Sequence, residues 1–235
     1  MPGILAAGLF VVLESFVDID LNYLFNILIS GFGMSVKVFC VTLIGALPLG
    51  IVVALCRMSK FKPLAVIARF YISILRGTPL MLQLMAWSYG PYYLFKMQLG
   101  SNWTMVACCI GFVLNYSAYF GEIYRSGIQS IPRGQYEAAQ VLGYSSSQTF
   151  IYIVLPQVIK RIVPAMGNEI IALVKDTSLA FVLGVGEMFT AAKALAAKYV
   201  SMVPYALAAI IYWCFTLAVE FVLNRVEKKL SYYHD

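Results

Sequence analysis

Glu169 and Asp176 lie seven residues apart inside an otherwise apolar stretch, 157–186, that also holds Lys160, Arg161 and Lys175. Seven residues are about two helical turns, so on a helix the two carboxylates share a face. An acid at membrane depth is costly to leave unpaired, which makes this pair a candidate for binding a cation that a substrate brings with it. Asn115, Tyr119 and Glu122 form a second polar stripe at helical spacing. Hydrogen bonding between helices accounts for Asn115, and Glu122 has Arg125 one turn away as an ion-pair partner. Covalent chemistry has no comparable foothold. The one histidine, His234, stands in the polar tail without other ligands near it and takes no role, and the five cysteines (Cys40, Cys56, Cys108, Cys109, Cys214) include no CxxC pair. No Gly-x-x-x-x-Gly-Lys-Ser/Thr stretch is present to cradle nucleotide phosphates. These features predict a chain that binds and moves something, without a metal site and without being an enzyme itself.

The elements that must position these residues are set by composition. Of 235 residues 61% are hydrophobic and only 12% charged, with a mean hydropathy of +0.82. That leaves too little polar surface to coat a soluble globule, so the class is integral membrane and all-α. The net charge of +6 comes from bases lying between apolar runs, where they orient helices in a lipid bilayer rather than bind nucleic acid. Uncharged stretches near the roughly 20 residues that a span needs occur at 38–56, 77–95, 97–121 and 199–219, and the more polar 157–186 is counted as a fifth span. Arg57, Lys60, Lys62, Arg69 and Arg76 follow the first span, Arg125, Arg133, Lys160 and Arg161 follow the third, and Arg225, Lys228 and Lys229 follow the last. With the positive-inside rule this gives five transmembrane helices, N-terminus outside and C-terminus cytoplasmic. Lys193 and Lys198, in the external loop, run against that pattern. Residues 1–13 are apolar but have no basic n-region and are too short to span. The segment 1–30 is expected to lie apart from the membrane domain 31–235, interfacial on the external side.

The connection between the third and fourth spans, about 126–157, is far longer than the roughly 2 to 8 residues usual between packed helices. It reads Glu137-Ala138-Ala139, then Gly143, then Ile153, Leu155 and Pro156. Good helix formers occupy 135–142, Gly143 ends that turn, and Ser145 is placed to cap a second helix whose apolar Phe150, Ile151 and Val154 recur three or four apart. The pattern resembles the EAA motif of ABC importer permeases. Further matches are Arg76-Gly77-Thr78-Pro79-Leu80 with Gln83, Ala118-Tyr119 with Glu122 and Arg125, Ile131-Pro132-Arg133-Gly134-Gln135, Gly167-Asn168-Glu169 and Lys175-Asp176-Thr177-Ser178-Leu179. Over about residues 33–230 the chain is similar to the permeases of the polar amino-acid uptake family.

The resemblance implies a multi-pass permease of the bacterial cytoplasmic (inner) membrane that translocates polar amino acids by alternating access. It implies partners too: an ATP-binding subunit carrying ATP and magnesium, a second permease chain, identical or homologous, and an extracytoplasmic solute-binding protein. No cofactor is expected in this chain. Glu137, Ala138, Ala139, Gly143 and Pro156 would form the coupling helix that fits a groove on the ATPase. Asn168 and Glu169 would line a central pocket, the carboxylate taking the substrate's α-ammonium or a basic side chain. Glu169 also fits an internal ion pair with Lys175 or a partner-subunit base, and Asp176 fits either the substrate site or an ion-pair or packing role. Arg76, Gly77, Thr78 and Pro79 are read as a gate or hinge, because Pro79 biases Thr78 away from helical geometry. The competing class is a self-contained secondary transporter or channel, which would show inverted repeats; none is evident, and it leaves the long loop unexplained.

Overall fold

The structure is a computed structural model and describes residues 20–97, 99–100 and 102–230. Asp20 caps the first helix, α1 (Leu21–Arg57), its carboxylate accepting hydrogen bonds from the backbone N–H groups of Asn22 (2.9 Å) and Tyr23 (3.2 Å). With that cap in place the apolar run continues unbroken, so residues 21–30 belong to α1 and not to a separate N-terminal segment. The remainder of that segment, 1–19, and the tail with His234 lie outside the described residues.

After α1 the chain forms α2 (Lys62–Gly77) and α3 (Leu80–Phe95), which meet at 109°. Pro63 near the start of α2 has no N–H to lose there. At the other end Thr78 is extended (φ −119°, ψ 150°) ahead of Pro79, and α2 stops. The span expected at 77–95 is therefore only the second arm of a broken pair. Next comes α4 (Trp103–Gln129), displaced toward the C-terminus from the expected 97–121. It runs past the charges at its end because Arg125 pairs with Glu122 one turn before it.

A short α5 (Arg133–Val141) leads into α6 (Ser146–Leu183), which begins α-helical, widens to a π-helix over Thr149–Val154, returns to α over Leu155–Asp176 and tightens to a 3₁₀ helix over Thr177–Leu183. The expected second helix of the loop and the fourth span are thus one continuous element. Then follow α7 (Met188–Tyr199), which span counting leaves as loop, and α8 (Val203–Leu230), which extends the expected 199–219 at its C-terminal end. Lys193 and Lys198 lie on α7, with their ammonium groups 5.4 Å from the Phe181 ring and 5.0 Å from the Tyr23 ring. Contacts of that kind hold bases against aromatic faces.

Four of the helices, α1, α4, α6 and α8, are long and apolar enough to cross a membrane, and the bent pair α2–α3 makes a fifth if taken as one span. The fold is all-α and membrane-spanning. Its core lies between α1 and α4, where Val38, Ala46, Phe112 and Phe120 are buried together with Leu84 of α3 and Leu173 of α6. The backbones approach closely at Gly50: a Cβ there would stand 2.9 Å from the Phe120 Cβ and 3.3 Å from the Ser117 carbonyl oxygen. Small residues at such crossings are what allow membrane helices to pack tightly. Gly50→Val should therefore cost ~1–3 kcal/mol by overpacking, seen as a fall of several degrees in the thermal unfolding midpoint of the detergent-solubilised protein. An unchanged midpoint would mean that the crossing has slack.

Candidate functional site

A helix that ends leaves its last carbonyls without internal partners, and α2 ends against the middle of α4. Asn115 lies about 20 Å from either end of α4 at 1.5 Å per residue. Its Nδ2 donates to the Leu75 carbonyl and to Gln83 Oε1, each at 2.9 Å. Gln83 Nε2 in turn reaches the Leu75 carbonyl (2.9 Å) and the Thr78 carbonyl (3.0 Å) and hydroxyl (2.8 Å). Both amides are buried, and Tyr71 of α2 adds a hydrogen bond to the Leu114 carbonyl (2.9 Å). The four residues read as a gate or hinge thus stand at a corner cross-braced to α3 and α4.

The charge count places Arg76 in a cytoplasmic connection. In the structure that connection is α2, which carries Arg76 about 20 Å along from Lys62 to this corner. Its guanidinium lies 5.0 Å from the Tyr119 ring centroid, and Tyr119 is followed at 6.1 Å by the ring of Tyr116. The Tyr116 hydroxyl donates to Asp176 at 2.7 Å. Glu169, half-buried one face-repeat before Asp176, lies within electrostatic reach of both Arg76 and Asp176 and, among the described residues, receives no hydrogen bond. Arg76 over Tyr119 and Asp176 bonded to Tyr116 thus flank Glu169 around two tyrosines. Asn168 is exposed and lies about 100° round the helix from Glu169, so it does not join them. Lys175 lies within electrostatic reach of Asp176 and also lines a cavity of about 480 Å³ shared with Phe189, Tyr205, Tyr212 and Trp213.

At the far end of α6 the loop shows a different chemistry. Gly143 takes a left-handed conformation (φ 79°), which a residue with a side chain adopts only with strain. Ser145 and Gln148 form a reciprocal capping box at the start of α6. Pro156 has no N–H to give to the turn before it, and the wider π turn stands directly ahead of it. Gln157 Nε2 ties the two helices by bonding the Ile153 carbonyl (2.8 Å) and Gln135 Oε1 (3.2 Å). Ala139 is buried, Glu137 and Ala138 are exposed, and Val141 (88% exposed) and Leu142 (74%) stand clear of the protein.

Residues 46–232 match the family described as the binding-protein-dependent transport system inner membrane component. The chain belongs to this family. It is accordingly a multi-pass permease subunit of a bacterial inner-membrane ABC transport system, a transport component whose ATPase is a separate chain. The permease is similar to the arginine transport system permease protein ArtQ of Bacillus subtilis (39% identity, 87% of this chain and 92% of that one). It also resembles the L-cystine permease TcyB of the same organism (34%; 88% and 88%) and a putative glutamine permease GlnP of Rickettsia bellii (33%; 86% and 92%). Among solved structures it superposes on an amino acid ABC transporter with histidines (TM-score 0.81, 32% identity, 91% of this chain and 100% of that one). The MetNI methionine transporter, at 15% identity and a TM-score of 0.64, shares the fold alone.

Two features of the permease escape sequence reasoning. Tyr116 bridges the aromatic pair to Asp176, and its one signal was its place one turn before Tyr119. Glu187, fully buried, caps α7: its carboxylate accepts from the N–H groups of Phe189 (2.7 Å) and Thr190 (2.6 Å) and from the Tyr212 hydroxyl (3.0 Å). Glutamate is outside the usual set of capping residues, so the start of α7 went unmarked. The corner itself makes a prediction. Gln83→Leu and Asn115→Leu should each lower stability by about 1 kcal/mol, and the double variant by less than the sum, because the two amides share one acceptor. Additive losses in thermal unfolding would show that they act separately.

Proposed function

We propose that the permease imports polar amino acids, with Glu169 and Asp176 forming the cationic subsite for the substrate. What carries this reading is the gathering of two carboxylates, Tyr116 and Tyr119 at a broken helix halfway along α4. Broken helices near the bilayer midplane are where transporters commonly bind substrate, and a carboxylate there gives an ammonium a charge-assisted hydrogen bond. Glu169, without a hydrogen-bond donor of its own among the described residues, is the freer of the two acids. The Tyr116 hydroxyl already occupies one oxygen of Asp176. The substrates for which the similar permeases are named, arginine, cystine and glutamine, all carry an α-ammonium.

The exposed end of α5 and the start of α6 are the docking element for the ATP-binding subunit, on the cytoplasmic side where the surrounding bases place it. Val141 and Leu142 supply apolar contact, and Gly143 keeps the bend open. This orientation puts the N-terminus outside, facing the solute-binding protein, and the C-terminus inside. A second permease chain completes the path. Support for it comes from α6, which carries Lys160, Arg161, Glu169, Lys175 and Asp176 yet is little buried by its own chain. Such a helix needs a polar neighbour rather than hydrocarbon.

In proteoliposomes holding the whole importer, Glu169→Gln should reduce uptake of arginine, cystine or glutamine at least ~10-fold, the scale of one charge-assisted hydrogen bond, while the complex still assembles on size exclusion. Unchanged uptake kinetics would take Glu169 out of the site. Gly143→Leu should abolish co-purification of the ATPase from native membranes while leaving the permease inserted; an ATPase that still co-purifies in full would place the docking element elsewhere.

A further inference from the structure

An amino acid is a zwitterion, and the acids at mid-depth answer only half of it. Its α-carboxylate entering the same low-dielectric site needs a cation, or its desolvation opposes binding. Of the bases in the spanning helices, Lys175 lines the separate aromatic cavity between α6 and α8, and Lys37 lies on an exposed face of α1. Arg161 bonds the Ser130 hydroxyl near the loop end of α6 (3.1 Å), and Lys160 precedes it in the chain. Arg76 alone of these lies over Tyr119 and within electrostatic reach of Glu169.

Three features suit it to a carboxylate. Its guanidinium lies over the Tyr119 ring, 5.0 Å from the centroid, and the planar fork of N–H donors it carries matches a carboxylate in bidentate fashion. Its place is fixed, because the carbonyl of the preceding residue, Leu75, is held by Gln83 and Asn115 together. It also has no acid within 4 Å, the ion pair among the described residues being Glu122–Arg125. We infer that Arg76 is the anchor for the substrate's α-carboxylate, so that the permease selects α-amino acids over the corresponding amines.

This rests on the assignment of Glu169 to the ammonium, and the test separates the two. Binding is measured on the detergent-solubilised complex of permease and ATPase, without the solute-binding protein, for arginine against agmatine, glutamine against 4-aminobutanamide and cystine against cystamine. In each pair the second compound lacks the carboxylate. The wild-type complex should prefer the amino acid of at least one pair by roughly 10- to 100-fold, the range expected for a bidentate charged contact. Arg76→Gln should reduce that amino acid to the level of its amine and leave amine binding unchanged, which also reports that the site remains folded. Arg76→Lys, which keeps the charge but not the fork, should fall between, and it carries the test if the glutamine variant loses amine binding as well. Preference retained in full by either variant overturns the role of Arg76 and leaves Glu169 in place. A wild-type complex that binds amino acid and amine equally overturns it too. Equal binding of every compound by Glu169→Gln and wild type removes the ammonium subsite and Arg76 with it.

Discussion

A helix that stops against the flank of another leaves a carbonyl buried away from water, and the Leu75 carbonyl is where this chain meets that constraint. Two side-chain amides from two other helices converge on it. Because Gln83 comes from α3 and Asn115 from α4, satisfying one acceptor fixes the angle between the arms of the broken span and seats both against the core helix. Everything around the corner inherits that placement. Arg76 follows Leu75 in the chain, Tyr119 lies one turn past Asn115, and Tyr116 stands beside Asn115 on α4. The corner therefore supplies rigidity where the sequence, with its Gly77 and Pro79, suggests mobility. The same Pro79 that ends α2 also frees the carbonyls that the amides then bind.

The sequence was most legible where local chemistry decides the outcome. Thr78 ahead of Pro79, Gly143 at the end of α5 and Ser145 at the start of α6 all act through their own backbone geometry or nearest N–H groups, and each lies where propensity places it. The Glu122–Arg125 pair is of the same kind. Less legible were features that depend on contacts distant in sequence. Apolar content alone could not separate α2 from a cytoplasmic connection, because the helix is 16 residues long and rich in bases. Only its packing against α4 shows that Arg76 lies over Tyr119. α7 was hidden for another reason: its cap is a glutamate, stabilised by a tyrosine 25 residues away.

The acids show how far spacing reaches. Seven residues put Glu169 and Asp176 on one face, yet the two meet different surroundings, since Tyr116 contacts Asp176 and leaves Glu169 without a hydrogen bond among the described residues. The neighbour of an acid along its own helix is only part of its charge environment. Lys175, adjacent to Asp176, acts on that carboxylate and also lines another cavity, whereas Glu169 has Arg76, nearly a hundred positions earlier, within electrostatic reach. In a bundle of long helices, charge pairing is set by which faces the crossings bring together, and a linear reading has no access to that.

The continuity of α6 bears on how the two ends of the permease communicate. From the capping box at Ser145 to Asp176 the helix runs on, with a change of pitch over Thr149–Val154 and a proline, Pro164, inside it. A flexible linker between the loop and the acids would absorb displacement, but an unbroken helix transmits it, and its buried face, with Val158, Leu173 and Val174 packed against neighbours, limits the motions left to sliding and rotation. Rotation is the more consequential for the site. A turn of α6 by one residue, about 100°, would take Glu169 away from Arg76 and bring Asn168 toward it, exchanging a charged group for a neutral one without moving the corner at all. The stretch that carries the acids and the stretch that leads out to the loop are thus one helix, and the fixed corner is the surface against which it can turn.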